Sequence, residues 1–319
     1  DNSNLGGSLS WNHFFNDKIN VNLAAIHSQT QLGVEEREIP FEAYRQNSNL
    51  LHQEARMDWG WRMNSRHKLR FGANAILYTN DRGSFLPGDE RSLIEPIEFE
   101  AEKGLEAGLY VSEEWQPTDR ATLTGGLRYN QYHYLGPQEV FQYQEGQTIS
   151  AATVTDTLQF GQGERIVTHR NIDYRLALKY AILPTLSVKA SYNTLHQYLF
   201  LMSNTIALAP TDRWKLIDYN INPMSGQQAS FGVYGSIANK RYNWSAQLYT
   251  KQVGGLVEFR DGANLLINEF PERDVLQGGL TARGVELTFK KPRGRLNGWV
   301  NYTYSRSWVQ VEGEDEAST

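Results

Sequence analysis

Apolar and polar residues alternate with a period of two along much of this chain. Between Leu105 and Trp115 the odd positions are mainly apolar, and the even positions are mainly polar or Gly. Such alternation predicts a β-strand with one apolar and one polar face. The run is roughly ten residues long, which is about the length that a tilted strand needs to cross a bilayer. Strands of soluble sandwiches average only about five or six residues.

The same pattern recurs along the whole chain and predicts 12 strands. They are expected at 5–15, 19–32, 50–63, 68–82, 104–116, 121–135, 168–182, 186–202, 226–238, 243–259, 280–291 and 296–311. The fold class is therefore all-β, with an antiparallel sheet that forms the wall of a transmembrane β-barrel.

The connections between these strands alternate strictly between short and long. The short ones are rich in Pro, Asn, Asp and Gly, and they centre on residues 16–18, 64–67, 117–120, 183–185, 239–241 and 292–295. The long ones cover about 33–49, 83–103, 136–167, 203–225 and 260–279. This is the layout of outer-membrane barrels, which have short periplasmic turns and long extracellular loops.

Aromatic residues are placed where the two membrane interfaces should lie. One group lies within a few residues of a short turn: Phe15, Trp61, Trp115, Tyr180, Trp244 and Phe289. A second group is expected near the opposite strand ends: Tyr129, Tyr192, Tyr302 and Tyr304. Agreement of strand length, loop alternation and aromatic placement favours a membrane wall over a soluble β-protein.

Composition and charge exclude several other classes of protein. The chain has no Cys, which excludes a disulfide scaffold and a thiolate metal site. Its net charge is −5, so there is no overall basic character of the kind that nucleic-acid binding requires. No apolar run approaches the roughly 18 residues of a transmembrane helix.

The sequence contains no recognisable catalytic constellation. Its seven His residues are scattered without metal-ligand spacing, and no phosphate- or dinucleotide-binding motif is present. The alternation places His133 and His196 on the lipid-facing side, where an interfacial role is the simplest interpretation. We therefore predict that the protein is not an enzyme and that it has no cofactor and no metal site.

Charged residues on the polar face are interpreted as wall groups that pair with each other or with a plug. They are Arg56, Asp58, Arg62, Arg70, Glu114, Arg128, Arg175, Lys189 and Glu286. Direct ligand contact is expected instead from aromatic side chains at the upper, lumen-facing strand ends and in loops. The candidate ligand-binding residues are Tyr78, Tyr132, Tyr134 and Trp214.

Strand direction places both ends of the chain on the long-loop side. A complete barrel of this class has its termini in the periplasm, so residues 1–319 are expected to form one partial barrel domain, without a plug and without the remaining strands. The first and last strands should then have no partners within these residues.

Several segments resemble TonB-dependent outer-membrane receptors of the Bacteroidota type. The resemblance rests on Ala190–Leu199, Ala209–Trp214, Tyr249–Lys251, Gly255–Arg260, Arg283–Lys291 and Gly294–Arg306. It is clearest over about 170–310. The resemblance implies a 22-stranded barrel whose lumen is filled by an N-terminal plug.

The resemblance also implies a function and a set of partners. The function is active import of a scarce nutrient such as a metal chelate, vitamin, glycan or peptide. The alternative is a non-transporting barrel or passive pore within a larger outer-membrane assembly. The implied partners are outer-membrane lipid, the protein's own plug domain, the TonB complex reached through an N-terminal part, and a surface lipoprotein that acts as a lid. The implied location is the bacterial outer membrane.

Overall fold

The computed structural model describes residues 2–202, 213–239, 241–260, 262–263 and 268–311. It consists almost entirely of β-strands and the turns between them. In chain order the strands are β1 (Asn2–Phe14), β2 (Ile19–Glu36), β3 (Tyr44–Arg62), β4 (His67–Pro87), β5 (Ile97–Glu98), β6 (Glu102–Thr118), β7 (Ala121–Leu135), β8 (Gln138–Tyr143), β9 (Val154–Phe160), β10 (Arg165–Leu183), β11 (Leu186–Gln197), β12 (Leu199–Met202), β13 (Arg213–Leu216), β14 (Met224–Ile237), β15 (Tyr242–Phe259), β16 (Val275–Lys291) and β17 (Gly298–Val311).

Twelve of these strands form one antiparallel sheet, which we call the wall. Its order is β1-β2-β3-β4-β6-β7-β10-β11-β14-β15-β16-β17. Among the described residues, β1 pairs only with β2 and β17 pairs only with β16. The predicted open sheet of 12 strands, with unpartnered first and last members, is therefore confirmed.

The wall strands are 12 to 21 residues long. Each contains at least the roughly ten residues that cross a bilayer, and most continue further on the long-loop side. The predicted strand 186–202 is wrong at its upper end, because β11 ends at Gln197 and residues Leu199–Met202 pair with β13 instead. The apolar run at 198–202 does not reveal that the chain leaves the wall there.

The two faces of the wall differ as the alternation predicts. Leu109 and Leu176 point to the outer face, where they are 60% and 53% exposed. The ladder places Ala73 and Tyr129 beside Leu109 on that face. Tyr302 and Tyr304 are also exposed there, but they lie in the lower half of β17 and not near the loop end.

On the inner face, polar side chains pair with each other across the strands. Tyr110 donates a hydrogen bond to Asp58 at 2.6 Å, and Arg56 forms an ion pair with the same carboxylate at 3.3 Å. Gly72 makes room for the Tyr110 ring, since a Cβ there would lie 2.7 Å from it. Arg128 lies 4.0 Å from Glu106. For these residues, the expected pairing of wall charges with one another is confirmed.

The long loops contain further structure at the upper end of the wall. β8 and β9 form one hairpin, β12 and β13 form another, and β5 adds a short strand beside β4. A buried apolar cluster of the described residues lies here, between the inner face and the β12–β13 hairpin. No helix in the described part of the chain is long and apolar enough to span a membrane.

Candidate functional site

Three of the predicted site residues come together at the upper inner face. Tyr78 on β4 and Tyr132 and Tyr134 on β7 are 8%, 0% and 3% exposed, respectively. Gly104 on β6 lies between these strands and leaves space for the rings, because a Cβ there would come within 2.7 Å of the Tyr132 hydroxyl. The sequence alternation thus groups these residues correctly.

The tyrosines are covered by the β12–β13 hairpin and the segment after it. Tyr132 stacks on Tyr198 with ring centroids 4.9 Å apart, and its hydroxyl donates to the Ile217 carbonyl at 3.1 Å. Leu216 and Ile217 are fully buried against this cluster. Trp214, the fourth predicted residue, is half-buried on β13. We call these residues, Tyr78, Tyr132, Tyr134, Tyr198, Leu216 and Ile217, the mouth cluster.

A buried ion-pair network holds the hairpin on the wall. The Lys215 ammonium lies 2.7 Å from Glu102 Oε1 and 2.5 Å from Asp218 Oδ2. The other Glu102 oxygen accepts hydrogen bonds from the Leu216 amide at 3.0 Å and from Asn80 Nδ2 at 2.9 Å. Both Lys215 and Glu102 side chains are only 2% exposed.

Electrostatics keep the Lys215 side chain charged in this setting. Burial alone lowers the pKa of an ammonium, because it penalises the charged form. The carboxylates of Asp218 and Glu102 outweigh that effect and raise the pKa of Lys215 above its usual value. The network is therefore a cation held between two anions with little access to water.

An acidic cleft of about 340 Å³ opens beside this network. Segments from β4–β6, the β8–β9 hairpin, the loop after β13 and the β15–β16 loop all contribute to it. Its charged lining comprises seven carboxylates and two cations: Glu98, Glu100, Glu102, Glu139, Asp218, Glu269 and Glu272, with Arg82 and Lys215. Its aromatic lining is Phe99, Tyr134, Phe141, Tyr219 and Phe270.

Arg82 enters the cleft because the wall is irregular at this point. The register of β3 and β4 shifts where Ser48 lies opposite both Arg82 and Gly83, and Gly83 takes a positive φ of 83° within this bulge of β4. A side chain at Gly83 would collide with the Asn47 carbonyl, so only Gly fits. The Arg82 guanidinium donates to the carbonyls of Asn268 and Glu269 and lies 5.0 Å from the Phe99 ring.

A second set of contacts ties the β15–β16 loop to the β8–β9 hairpin. The Arg273 guanidinium lies 4.1 Å from the Phe270 ring and 5.4 Å from the Phe141 ring. Its Nε donates to the Tyr143 hydroxyl at 3.2 Å, and that hydroxyl donates to Glu272 at 2.8 Å. The cation therefore joins the two loops through aromatic faces and one hydrogen bond.

Burial changes the titration of two groups in this contact. Burial, followed by the charge of Asp218, raises the pKa of the Glu272 carboxyl. Burial raises the pKa of Tyr143 to about 12, with a smaller contribution from Glu272. The Tyr143 hydroxyl therefore remains a hydrogen-bond donor at neutral pH.

The prediction that His196 faces lipid is wrong. Its Nδ1 lies 2.7 Å from Asp173 Oδ1, on the inner side of the wall. The β10–β11 ladder stops at the pair Arg175 and Asn193, and beyond it the Thr194 hydroxyl accepts the Tyr174 amide at 2.8 Å. A side chain replaces the backbone partner here, so simple alternation no longer applies. His133 does lie on the outer face, beside Thr168.

Sequence reasoning missed Glu102, Lys215 and Asp218. The alternation that assigns Leu105 to the outer face also assigns Glu102 to the inner face, so the orientation of Glu102 was predictable from the sequence. Nothing in the loop sequence identified Lys215 as its partner, because 113 residues separate the two positions. In the described part of the chain, no group of three or more His, Asp or Glu side chains is arranged to hold a metal ion.

The sheet, its two faces and its loop-covered mouth define the wall of an outer-membrane barrel. A family model described as "TonB dependent receptor-like, beta-barrel" matches residues 1–319. The chain therefore belongs to the TonB-dependent receptor β-barrel family, whose members are receptors and transporters of the Gram-negative outer membrane.

Several solved structures share this fold at low sequence identity. The copper transporter OprC matches with a TM-score of 0.63 and 13% identity, over 96% of this chain and 46% of that chain. The ferric yersiniabactin uptake receptor FyuA from Yersinia pestis matches with a TM-score of 0.59 and 12% identity, over 97% and 43%. The FrpB iron transporter from Neisseria meningitidis matches with a TM-score of 0.55 and 12% identity, over 100% and 54%. The chain thus spans about half the length of these structures. A search of curated protein sequences found no match.

Proposed function

We propose that this chain forms part of the wall and the ligand-binding mouth of a TonB-dependent importer of a scarce nutrient. Further strands would complete the barrel at the unpaired edges of β1 and β17, and a plug would fill the lumen. Energy would come from the TonB complex through the plug. The nutrient would be a metal chelate, vitamin, glycan or peptide, and a surface lipoprotein is a candidate lid.

The observation that carries this proposal is the structured mouth. Four loop regions converge on the acidic cleft, and the β12–β13 hairpin packs on the wall through the buried mouth cluster. A passive pore needs an open passage, whereas a receptor needs a concave surface with aromatic and polar groups. The packing of these loops therefore favours a receptor over the alternative of a passive pore.

Within this proposal the four predicted residues have two roles. Tyr134 borders the acidic cleft and would contact the ligand. Tyr132 would act by holding the hairpin, since its ring stacks on Tyr198 and its hydroxyl donates to the Ile217 carbonyl. Tyr78 would add to the same buried cluster, and Trp214 would take part through its carbonyl, which accepts from Asn80 at 2.7 Å. The excess of carboxylates would disfavour polyanionic ligands and favour neutral or cationic ones.

The proposal can be tested by comparing energised uptake with passive flux. Cells that carry the protein would be limited in turn for a ferric chelate, a corrinoid vitamin, an oligosaccharide or a peptide. We expect growth on at least one nutrient that disappears when TonB is deleted. The purified protein in liposomes should not admit the same solute. Solute flux through liposomes without energy, with no TonB-dependent growth, would support the passive pore instead.

A further inference from the structure

The short-turn end of the wall carries an unbalanced cluster of cations. Arg241 lies in the turn between β14 and β15, and Lys291, Arg293 and Arg295 lie in the turn between β16 and β17. These turns are neighbours because β15 pairs with β16. We call these four residues the basic rim.

The basic rim has no acidic counterpart within reach along its own strands. The sequence has no Asp or Glu in residues 231–247 or 287–303. None of the four cations forms an ion pair with another residue in the part of the chain that the structure describes. Arg241, Arg293 and Arg295 are exposed, and Lys291 is half-buried.

The other charged short turns are balanced, which makes the basic rim distinct. Asp17 adjoins Lys18, and Asp119 adjoins Arg120. Beside the β3–β4 turn, Lys68 at the start of β4 lies 2.7 Å from Glu114 on β6. An acidic residue thus lies beside a cation at three of the charged short turns, whereas the two turns of the basic rim have none nearby.

Apolar side chains on the outer face lie directly above the basic rim. Tyr242 stacks with Phe289 at 5.6 Å, and Trp244 is the cross-strand neighbour of Phe289. Lys291 is two residues beyond Phe289 on the same face of β16, and Ile237 is exposed beside Tyr242. Aromatic side chains of this kind mark the level of lipid headgroups at a membrane interface.

We propose that the basic rim binds the phosphate of an acidic phospholipid in the periplasmic leaflet, with its acyl chains against Tyr242, Trp244 and Phe289. At this depth the anions next to an outward-facing aromatic belt are lipid phosphates. Clusters of Lys and Arg beside a membrane attract anionic headgroups, and each cation strengthens the attraction. Arg adds paired hydrogen bonds to phosphate oxygens. This site is separate from the ligand mouth and does not depend on the import proposal.

The test measures lipid binding to the intact protein in detergent by native mass spectrometry. Phosphatidylglycerol and phosphatidylethanolamine with the same acyl chains would be titrated separately. We expect tighter binding of phosphatidylglycerol, and a loss of more than about tenfold in affinity for it when Arg241, Lys291, Arg293 and Arg295 are all changed to Gln. Added NaCl should weaken the binding of phosphatidylglycerol.

Matched variants distinguish an effect of the basic rim from an effect of positive charge anywhere at the short-turn end of the wall. Changing Lys18, Arg66 and Arg120 to Gln removes cations from the balanced turns and should leave the lipid preference intact. Changing Arg241, Arg293 and Arg295 to Lys keeps the charge and should retain most of the binding. Heat-dependent gel migration would verify that each variant is folded.

Three results would overturn the proposal. The first is equal affinity for the two lipids, and the second is an equal loss of binding in the balanced-turn variant. The third is displacement of the lipid by millimolar inorganic phosphate, which would show that the basic rim binds a free anion and not a lipid headgroup.

Discussion

Replacing Lys215 by Met should release the β12–β13 hairpin and leave the wall intact. The substitution keeps the length of the side chain but leaves Glu102 and Asp218 without their shared cation. Removing one partner of a buried ion pair costs about 3–5 kcal/mol. The 2% exposure of Lys215 and Glu102 places this pair in the buried class.

Hydrogen exchange followed by mass spectrometry measures the effect directly. The amides of Leu216 and Ile217 are protected by Glu102 and by the Tyr198 carbonyl, respectively. A loss of about 3–5 kcal/mol corresponds to exchange that is faster by a factor of about a hundred to several thousand, because about 1.4 kcal/mol is tenfold. Exchange in the wall strands should not change.

Two controls test the physical reasoning. Lys68 and Glu114 are also 2.7 Å apart, but their side chains are 42% and 38% exposed, so Lys68→Met should cost less than about 1 kcal/mol. Combining Lys215→Met with Glu102→Gln and Asp218→Asn removes the uncompensated charges and should restore most of the protection. Equal effects of the two Lys substitutions would refute the argument that burial determines the cost.

Three further predictions concern the wall, the loops and pH. Leu109→Arg should destabilise the barrel by about 2–4 kcal/mol in reversible unfolding from lipid, whereas Ala177→Arg on the inner face should cost much less; equal costs would mean that the faces are misassigned. Shortening residues 137–166 should abolish ligand binding while heat-resistant gel migration persists, because these residues add little to the wall; loss of that migration would mean that the loop is structural. The pKa of Glu272 is raised in the docked loop, so the docked loop favours the protonated carboxyl. The stability that Glu272 adds to loop docking is therefore complete below the usual carboxyl pKa range and is lost as the pH rises through the raised pKa. Exchange at 268–274, corrected for intrinsic rates, should show this dependence, and Glu272→Gln should remove it.

The wall was predictable because the alternation of apolar and polar residues that defines it is local to each strand and is repeated in every strand. A strand with one face in lipid must alternate, so Leu105–Trp115 and its equivalents can be recognised one strand at a time. Neighbouring strands then follow from the short turns between them. The alternation fails where a side chain replaces a backbone hydrogen-bond partner, as the Thr194 hydroxyl does for the Tyr174 amide. For that reason the alternation assigned His196 to the wrong face.

The mouth was predictable only in part, because its contacts join loops to distant strands. Tyr78, Tyr132 and Tyr134 lie on strands, so alternation placed them on one face and near one another. Lys215 lies in a predicted connection without periodicity, and Glu102, one of its two carboxylate partners, is on a distant strand. Loop sequences carry no regular pattern from which such a contact can be derived.

The β12–β13 hairpin is attached to the wall by contacts that are not part of the wall ladder. In the described residues, β12 and β13 form a backbone ladder only with each other. Their contacts with the wall are made through side chains, among them Gln46, Asn80 and Glu102. Opening the hairpin would therefore break no hydrogen bond of the wall ladder. The free energy of this opening would be that of a local unfolding step and not that of unfolding the wall. A ligand that competes for the Glu102 carboxylate would shift this local equilibrium while the register of β4 and β6 stays unchanged.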